Sequence, residues 1–360
     1  MKSSPRKTRK APVASSHEHA AYSRRSLLCR LGLTAVAGAE ASTLLSAPAA
    51  MASANQHAGM AMHGDGPHTP AFRGVVDPNE NGFDPMEILR DFDWGKVTRL
   101  PNGQTLREWE VNAIDKEIEV APGVKFPAWT FDGRVPGPTL RCNEGDLLRI
   151  HFGNGSEHPH TMHFHGIHTA AMDGVPGQGA GLIHPGETTT YEFRAEPFGL
   201  HLFHCHAEPL AEHIARGMYG TLVIDPKGGR PKADEMVMVQ GGYNTTFDGQ
   251  GNELYFVNGV PFAYMDRPIK VKKDQLVRIY LTNILEYDPI NSFHLHGNFF
   301  DYYPTGTRLE SSEFTDTISQ VQGQRGILEL RFPYTGRYMF HAHKTEFAEL
   351  GWMGFFEVVQ

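Results

Sequence analysis

The feature that most constrains this chain is a repeat held in register over the length of a domain. Leu147-Leu148-Arg149-Ile150-His151-Phe152-Gly153-Asn154 matches Leu276-Val277-Arg278-Ile279-Tyr280-Leu281-Thr282-Asn283. Met162-His163-Phe164-His165-Gly166 matches Phe293-His294-Leu295-His296-Gly297, and Phe203-His204-Cys205-His206 matches Phe340-His341-Ala342-His343. The offsets are 129, 131 and 137 residues. Between these strings run short stretches of Val, Ile, Leu, Phe and Thr, separated by turn signals such as Pro122-Gly123, Asp132-Gly133, Pro136-Gly137-Pro138 and Asn258-Gly259. No long helix-period segment interrupts them, and this spacing is that of a sandwich or barrel. The expected fold is all-β, with two tandem Greek-key β-sandwich domains at residues 76–228 and 235–360. Pro226-Lys227-Gly228-Gly229-Arg230-Pro231 reads as the linker between them. A chain of 360 residues, 40% hydrophobic and 21% charged, suits two packed domains.

The first 54 residues read as an export signal. A basic stretch (Lys2 to Lys10) leads to Ser23-Arg24-Arg25-Ser26-Leu27-Leu28, a mildly apolar run, and small residues from Ala47 to Ala54. The adjacent arginines resemble a twin-arginine signal, which implies an exported, periplasmic or extracellular protein. Arg30 and Glu40 make the run too polar to span a membrane, and no other segment is long and apolar enough. Residues 55–75 read as a linker dotted with His57, Met60, Met62, His63 and His68, soft side chains that offer a weak copper-scavenging alternative. Without residues 1–54 the chain carries 25 basic against 39 acidic side chains, a net charge of −14, which argues against nucleic-acid binding.

Twenty His and only three Cys point to metal rather than to a disulfide scaffold. In a strand, residues i and i+2 share a face, so His-x-His aims two imidazoles at one spot about 6–7 Å apart. The chain has four such clamps, His163/His165, His204/His206, His294/His296 and His341/His343, two in each domain. Eight imidazoles from two related domains fit one shared metal cluster.

Cys205 lies between His204 and His206, so its sulfur projects from the opposite face. Further donors are within reach in sequence: His160 precedes His163 by three residues, and His213 and Met218 follow Cys205 by 8 and 13. Two His, a thiolate and a weak axial Met make a blue-copper electron-transfer site. A Cys142–Cys205 disulfide is the structural alternative; otherwise Cys142 reads as a buried strand residue.

At His160-x2-His163-x-His165-Gly166 and His204-Cys205-His206 the chain resembles the two-domain, laccase-like multicopper oxidases, a likeness that spans roughly residues 105–360. The resemblance implies cupredoxin domains and four coppers per chain. It implies His160, Cys205, His213 and Met218 as type 1 ligands, and His163 and His294 as type 2 ligands. His165, His204, His206, His296, His341 and His343 would hold the type 3 pair. It further implies electron entry at an exposed edge of His213 and passage through Cys205 to His204 or His206. O2 would be reduced to water there, with Asp173 as a proton donor near the type 2 copper. An Asp-Gly turn is the plain alternative for Asp173. A homotrimer is implied, with each cluster between domain 1 of one subunit and domain 2 of its neighbour. The reductant would be a small molecule, phenolic first, or a metal ion.

Two departures stand out. Domain 2 has Asn291, Ala342 and Leu350 where domain 1 has His160, Cys205 and His213, so it keeps the clamps without a blue-copper site. His213 also follows His206 at a longer spacing than is usual in the family. A copper nitrite reductase shares the two-domain plan but would carry Asp at the position of His163 and no His at that of His206. A cuprous or ferrous oxidase stays open as a variant. A simple copper carrier would not need eight clamp imidazoles.

Overall fold

The computed structural model describes residues 73–360. The expected signal and residues 55–72 of the expected linker lie outside the described residues. Two β-sandwiches follow one another. In the first, one sheet runs in the order Phe92–Asp93, Thr139–Asn143, Tyr219–Asp225, Gly199–His204, His163–Phe164. The facing sheet runs Lys96–Arg99, Thr105–Ala121, Leu147–Asn154, Thr188–Arg194, and Val124–Phe131 pairs with the long Thr105–Ala121 strand. In the second, Ile269–Lys272, Met353–Val359, Gly336–His341, Asn291–Leu295 and Thr317–Gln320 form one sheet. Leu254–Val257, Asp234–Tyr243, Val277–Asn283, Arg325–Leu330, Phe300–Pro304 and Glu313–Thr315 form the other.

The sequence repeat is a repeat of register. His163 pairs with His204 and Phe164 with Phe203 across antiparallel strands; His294 pairs with His341 and Leu295 with Phe340 in the same way. Strand alternation sends the residues between the histidines inward. Met162, Phe164, Phe203 and Cys205 lie in the core of the first sandwich, and Phe293, Leu295, Phe340 and Ala342 in that of the second. Ala342 fills with apolar packing the place where the first sandwich carries Cys205.

A third apolar cluster joins the sandwiches, with Leu200, Leu202, Tyr219 and Val223 from one and Val237, Val239, Phe256 and Ile327 from the other. Beside it lies an ion network. Arg141 bonds Asp225 (Nε to Oδ2, 2.8 Å) and Glu235 (Nη1 to Oε2, 2.8 Å), while Arg278 bonds Glu235 (2.8 Å) and Glu329 (2.6 Å). The segment before the first strand straps both halves. Asn81 exchanges hydrogen bonds with the Glu119 backbone, and Leu89 accepts one from the Val237 N–H (2.8 Å). Pro85 accepts one from the Tyr264 hydroxyl (2.7 Å). Residues 76–91 therefore bind the second sandwich as well as the first, a relation that linear domain limits hide.

Among the described residues no helix is long and apolar enough to cross a membrane.

Candidate metal centres

Cys205 sits just past the end of the Gly199–His204 strand and is buried with His160, Met218 (all 0% exposed) and His213 (2%). Three donor atoms converge there. Cys205 Sγ lies 3.2 Å from His213 Nδ1 and 3.6 Å from His160 Nδ1, and the two imidazole nitrogens are 3.1 Å apart. A short helix, Leu210–Ala215, occupies the longer His206–His213 spacing and delivers His213 to the sulfur. The backbone then closes the loop, because the Cys205 N–H donates to the Met218 carbonyl (2.9 Å). The sulfur accepts backbone N–H bonds from Thr161 (3.4 Å) and Ala207 (3.5 Å), the kind of contact that tunes a metal thiolate. Both Cys142 and Cys205 are free thiols, so the disulfide alternative falls; Cys142 is buried in the Thr139–Asn143 strand.

His160 is oriented from behind. Its Nε2 lies 2.9 Å from Ser156 Oγ, and Ser156 donates to Asp115 Oδ1 (2.6 Å). With Nε2 donating to Ser156, Nδ1 is left as the free lone pair. Asp115 also accepts the Glu157 N–H (2.8 Å), which ties the loop to the Thr105–Ala121 strand. Neither Asp115 nor Ser156 is visible as a site residue in sequence. Their role depends on a loop crossing a strand some forty residues away.

The clamps straddle strand ends. Ring centroids are 5.1 Å apart for His163/His165, 5.8 Å for His204/His206, 5.0 Å for His294/His296 and 6.0 Å for His341/His343. These are closer than ideal strand spacing, since the second histidine of each pair lies at or beyond the strand terminus. His165 Nε2 and His204 Nε2 are 2.9 Å apart, and His296 and His341 repeat that distance. His204 donates from Nδ1 to the Cys205 carbonyl and His341 to the Ala342 carbonyl, both at 2.7 Å, which leaves Nε2 free in each. The N–H groups of His206 and His343 donate to Thr161 and Ser292 hydroxyls at 2.9 and 2.8 Å, completing the parallel.

Asp173 lies against His163. The Nδ1 of His163 is 2.9 Å from both the carbonyl oxygen and Oδ1 of Asp173, while His168 Nε2 is 3.4 Å from the same carboxylate oxygen. The turn reading and the site reading of Asp173 thus meet in one residue. At His294 the Asp316 carbonyl (3.1 Å) and Thr317 Oγ1 (2.7 Å) meet Nδ1, while the Asp316 carboxylate stands back at 3.9 Å. His168 and Asp316 escaped the sequence because neither keeps its spacing in the other domain.

Among the described residues, the groups of donors within metal-sharing distance are His160/Cys205/His213, His163/His165/His204, His163/His168/Asp173 and His294/His296/His341. None combines clamps of both sandwiches. The second half-site also faces solvent, with His296 and His343 exposed.

The donors fit copper. Two nitrogens each about 2 Å from one ion lie about 3 Å apart, which is the Nε2–Nε2 spacing seen twice here. Burial, with the neighbouring ring of His213, holds His160 down to about 3; burial and His204 hold His165 to about 3. Burial likewise holds His204 and His213 to about 4. Such imidazoles are neutral ligands at ordinary pH. Burial pushes the Cys205 thiol up to about 11, so its thiolate needs a cation beside it, the setting in which soft sulfur selects copper.

The sequence implied an exposed edge on His213. The structure corrects this: His213 is 2% exposed because Trp129 packs across it, with ring centroids 4.7 Å apart.

Duplicated all-β sandwiches with a buried His2Cys site beside ranked imidazole clamps define a cupredoxin-type copper protein. Family models described as multicopper oxidase match residues 112–229 and 230–360. A solved multicopper oxidase is 66% identical, with 79% of this chain and 100% of that one covered at a TM-score of 0.78. The copper nitrite reductase of Nitrosomonas europaea is 29% identical over 71% of this chain and 94% of that one, at a TM-score of 0.64. The copper-containing nitrite reductase of Neisseria meningitidis serogroup A is 34% identical over 254 residues; the match spans 65% of this chain and 64% of that relative's length. The chain belongs to the multicopper oxidases, a family of copper-dependent oxidoreductases.

Proposed function

We propose that this protein is a laccase-like oxidase that couples one-electron oxidation of a small reductant, phenolic first, to four-electron reduction of O2 to water. The observation that carries this reading is the pair of matching half-sites, each closed by an Nε2–Nε2 contact of 2.9 Å, beside a separate His2Cys site. His160, Cys205, His213 and axial Met218 would hold a type 1 copper. His163 and His294 would hold the type 2 copper, and His165, His204, His206, His296, His341 and His343 the type 3 pair, four ions per chain. Bound there, copper supplies one-electron acceptance at the first site and dioxygen reduction at the second.

The chain's own residues do the rest. Cys205 is covalently flanked by His204 and His206, so one residue of backbone separates the two sites. Asp173, bonded to His163 and beside His168, fixes the tautomer of His163 and is the acid nearest the cluster for delivering protons. Because the half-sites stand apart within one chain, a cluster needs a neighbour. A homotrimer, each cluster drawn from two subunits, fits that need. Export by the twin-arginine route, folded with copper, completes the reading.

A nitrite reductase reading suits the cupredoxin scaffold, but the chain carries His163 and His206 where that enzyme would carry Asp and no His, and a single catalytic copper leaves most of the eight clamp imidazoles without a task. The test is the absorption spectrum of the oxidised, copper-loaded protein together with O2 uptake. An intense blue band with a near-ultraviolet shoulder, and O2 consumption driven by a phenol, are expected. A blue band without the shoulder, and turnover with nitrite but not O2, would overturn the oxidase in favour of the reductase.

A further inference from the structure

The first histidine of the first clamp presents donors on two sides. Nδ1 of His163 turns back towards Asp173, so Nε2 is the nitrogen left for an ion in the clamp. A tight local fold builds a second set of donors on the back side. The helical turn Ala170–Met172 folds the chain over between His168 and Asp173. Gly174 then packs backbone to backbone on the residue before His163. Its φ is +67°, and a Cβ there would stand 1.9 Å from the Met162 carbonyl oxygen. Only glycine allows that approach, which holds Asp173 beside His163.

Three donor atoms meet behind His163. Asp173 Oδ1 is 2.9 Å from His163 Nδ1 and 3.4 Å from His168 Nε2, and all three lie within 4.8 Å of one another. His168 Nδ1 donates to the Thr169 carbonyl at 2.9 Å, which leaves Nε2 as a bare lone pair. That lone pair faces a carboxylate oxygen, so two electron-rich atoms confront each other across a gap that suits a cation. Ligands about 2 Å from a tetrahedral ion stand about 3.3 Å apart, and two imidazoles with one carboxylate and an open position are a zinc-type set. The His168, His163 and Asp173 side chains are 13%, 20% and 29% exposed, so an ion can reach them. The second sandwich does not repeat the arrangement. There the Asp316 carboxylate is 3.9 Å from His294, and among the described residues no group of imidazole donors gathers around it.

Resting on the copper assignment of the oxidase reading, we propose that His163 Nδ1, His168 Nε2 and Asp173 Oδ1 bind a zinc-class divalent cation, and that this ion keeps copper off the clamp side of His163. A neutral imidazole has one lone pair. When Nδ1 ligates zinc, its proton leaves to water and Nε2 takes one up from water, so the nitrogen that copper needs is blocked. The two ions compete for one ring, and zinc thereby governs loading of the type 2 position.

Zinc uptake by the copper-free full chain is measured by equilibrium dialysis for the wild type, His168→Ala and Asp173→Asn. Each variant should hold one equivalent of zinc fewer per chain than the wild type. Each protein is then loaded with copper at rising zinc, and the type 2 signal is followed by electron paramagnetic resonance. The zinc concentration that halves this signal should rise at least about tenfold in His168→Ala. The blue-site donors are untouched in that variant, so its retained blue band reports a folded protein. Equal zinc uptake by the wild type and both variants would overturn the inference. So would equal zinc sensitivity of the type 2 signal in the wild type and His168→Ala. A wild type that takes up the extra zinc but shows no type 2 signal even without zinc would overturn the copper assignment of His163, and the oxidase reading with it.

Discussion

Nε2 of His165 lies 2.9 Å from Nε2 of His204, and no imidazole of the second sandwich joins their group among the described residues. Two neutral nitrogens brought that close repel unless an ion or a proton lies between them. The same contact recurs at His296 and His341 on the other sandwich. Each half-site is thus a prepared pair that lacks its complement within the chain.

A mixing experiment follows. Chains carrying His165→Ala and His204→Ala should be inactive in O2 reduction, and so should chains carrying His296→Ala and His341→Ala. Each should retain the blue band, since His160, Cys205 and His213 are untouched. Co-assembled, the two should regain activity, because in the proposed trimer every mixed assembly contains one interface built from intact halves. A mixture as inactive as its components, with mixed trimers verified by mass, contradicts clusters shared between subunits.

Asp173→Asn keeps the shape of the turn and a hydrogen-bonding group beside His163 but removes the carboxylate. The blue band should persist and its reduction by substrate should keep its rate, while reoxidation by O2 slows by about tenfold or more. Stopped-flow reduction and reoxidation, measured separately, check this.

Ser156→Ala removes the group that receives His160 Nε2 and breaks the link to Asp115. Copper retention at the blue site should weaken by about tenfold, with a shifted blue absorption maximum. Competition with a cuprous chelator measures the first and absorption spectroscopy the second. Copper content of the clamps should not change.

The network between the sandwiches predicts an acid transition. Burial raises the Glu235 carboxyl, but hydrogen bonds and charge from Arg141, then bonds from Arg278 and Tyr280, outweigh it and hold the group below its ordinary value of 4.5. A carboxyl depressed in the folded state stabilises the fold above that ordinary value. The contribution is lost as pH falls through the lower, folded value. Glu235→Gln should lower stability by about 3 kcal/mol at neutral pH, since the nearly buried Arg278 loses a partner. It should also flatten the decline of Tm below about pH 4.5. Thermal melts of both proteins over that range decide it.

Much of the site was legible because its signals are local. His-x-His fixes two imidazoles on one face whatever the rest of the chain does, and Cys205 between two histidines must point the other way. Repetition at domain-length offsets made the clamps a set. By contrast, Asp115, Ser156 and Trp129 carry no motif. Asp115 and Trp129 reach the His160–Cys205–His213 cluster through pairing of the Thr105–Ala121 and Val124–Phe131 strands, in which they are register partners, and Ser156 through the loop after Leu147–Asn154, where it donates to Asp115. His213 lies beside Cys205, as its spacing suggested, yet it is buried rather than exposed. Exposure depends on what packs over a residue, not on the residue itself.

The sequence by itself determined the duplicated all-β plan, the four clamps and the single His2Cys set, because period-two alternation and donor chemistry act over a few residues. Only the tertiary structure decided three other things. It tied Asp173 and Asp316 to His163 and His294, it put Trp129 between His213 and solvent, and it left the two half-sites of one chain apart. Each of these follows from strand register and from the packing of one sandwich against the other, which arise from contacts between residues distant in the chain.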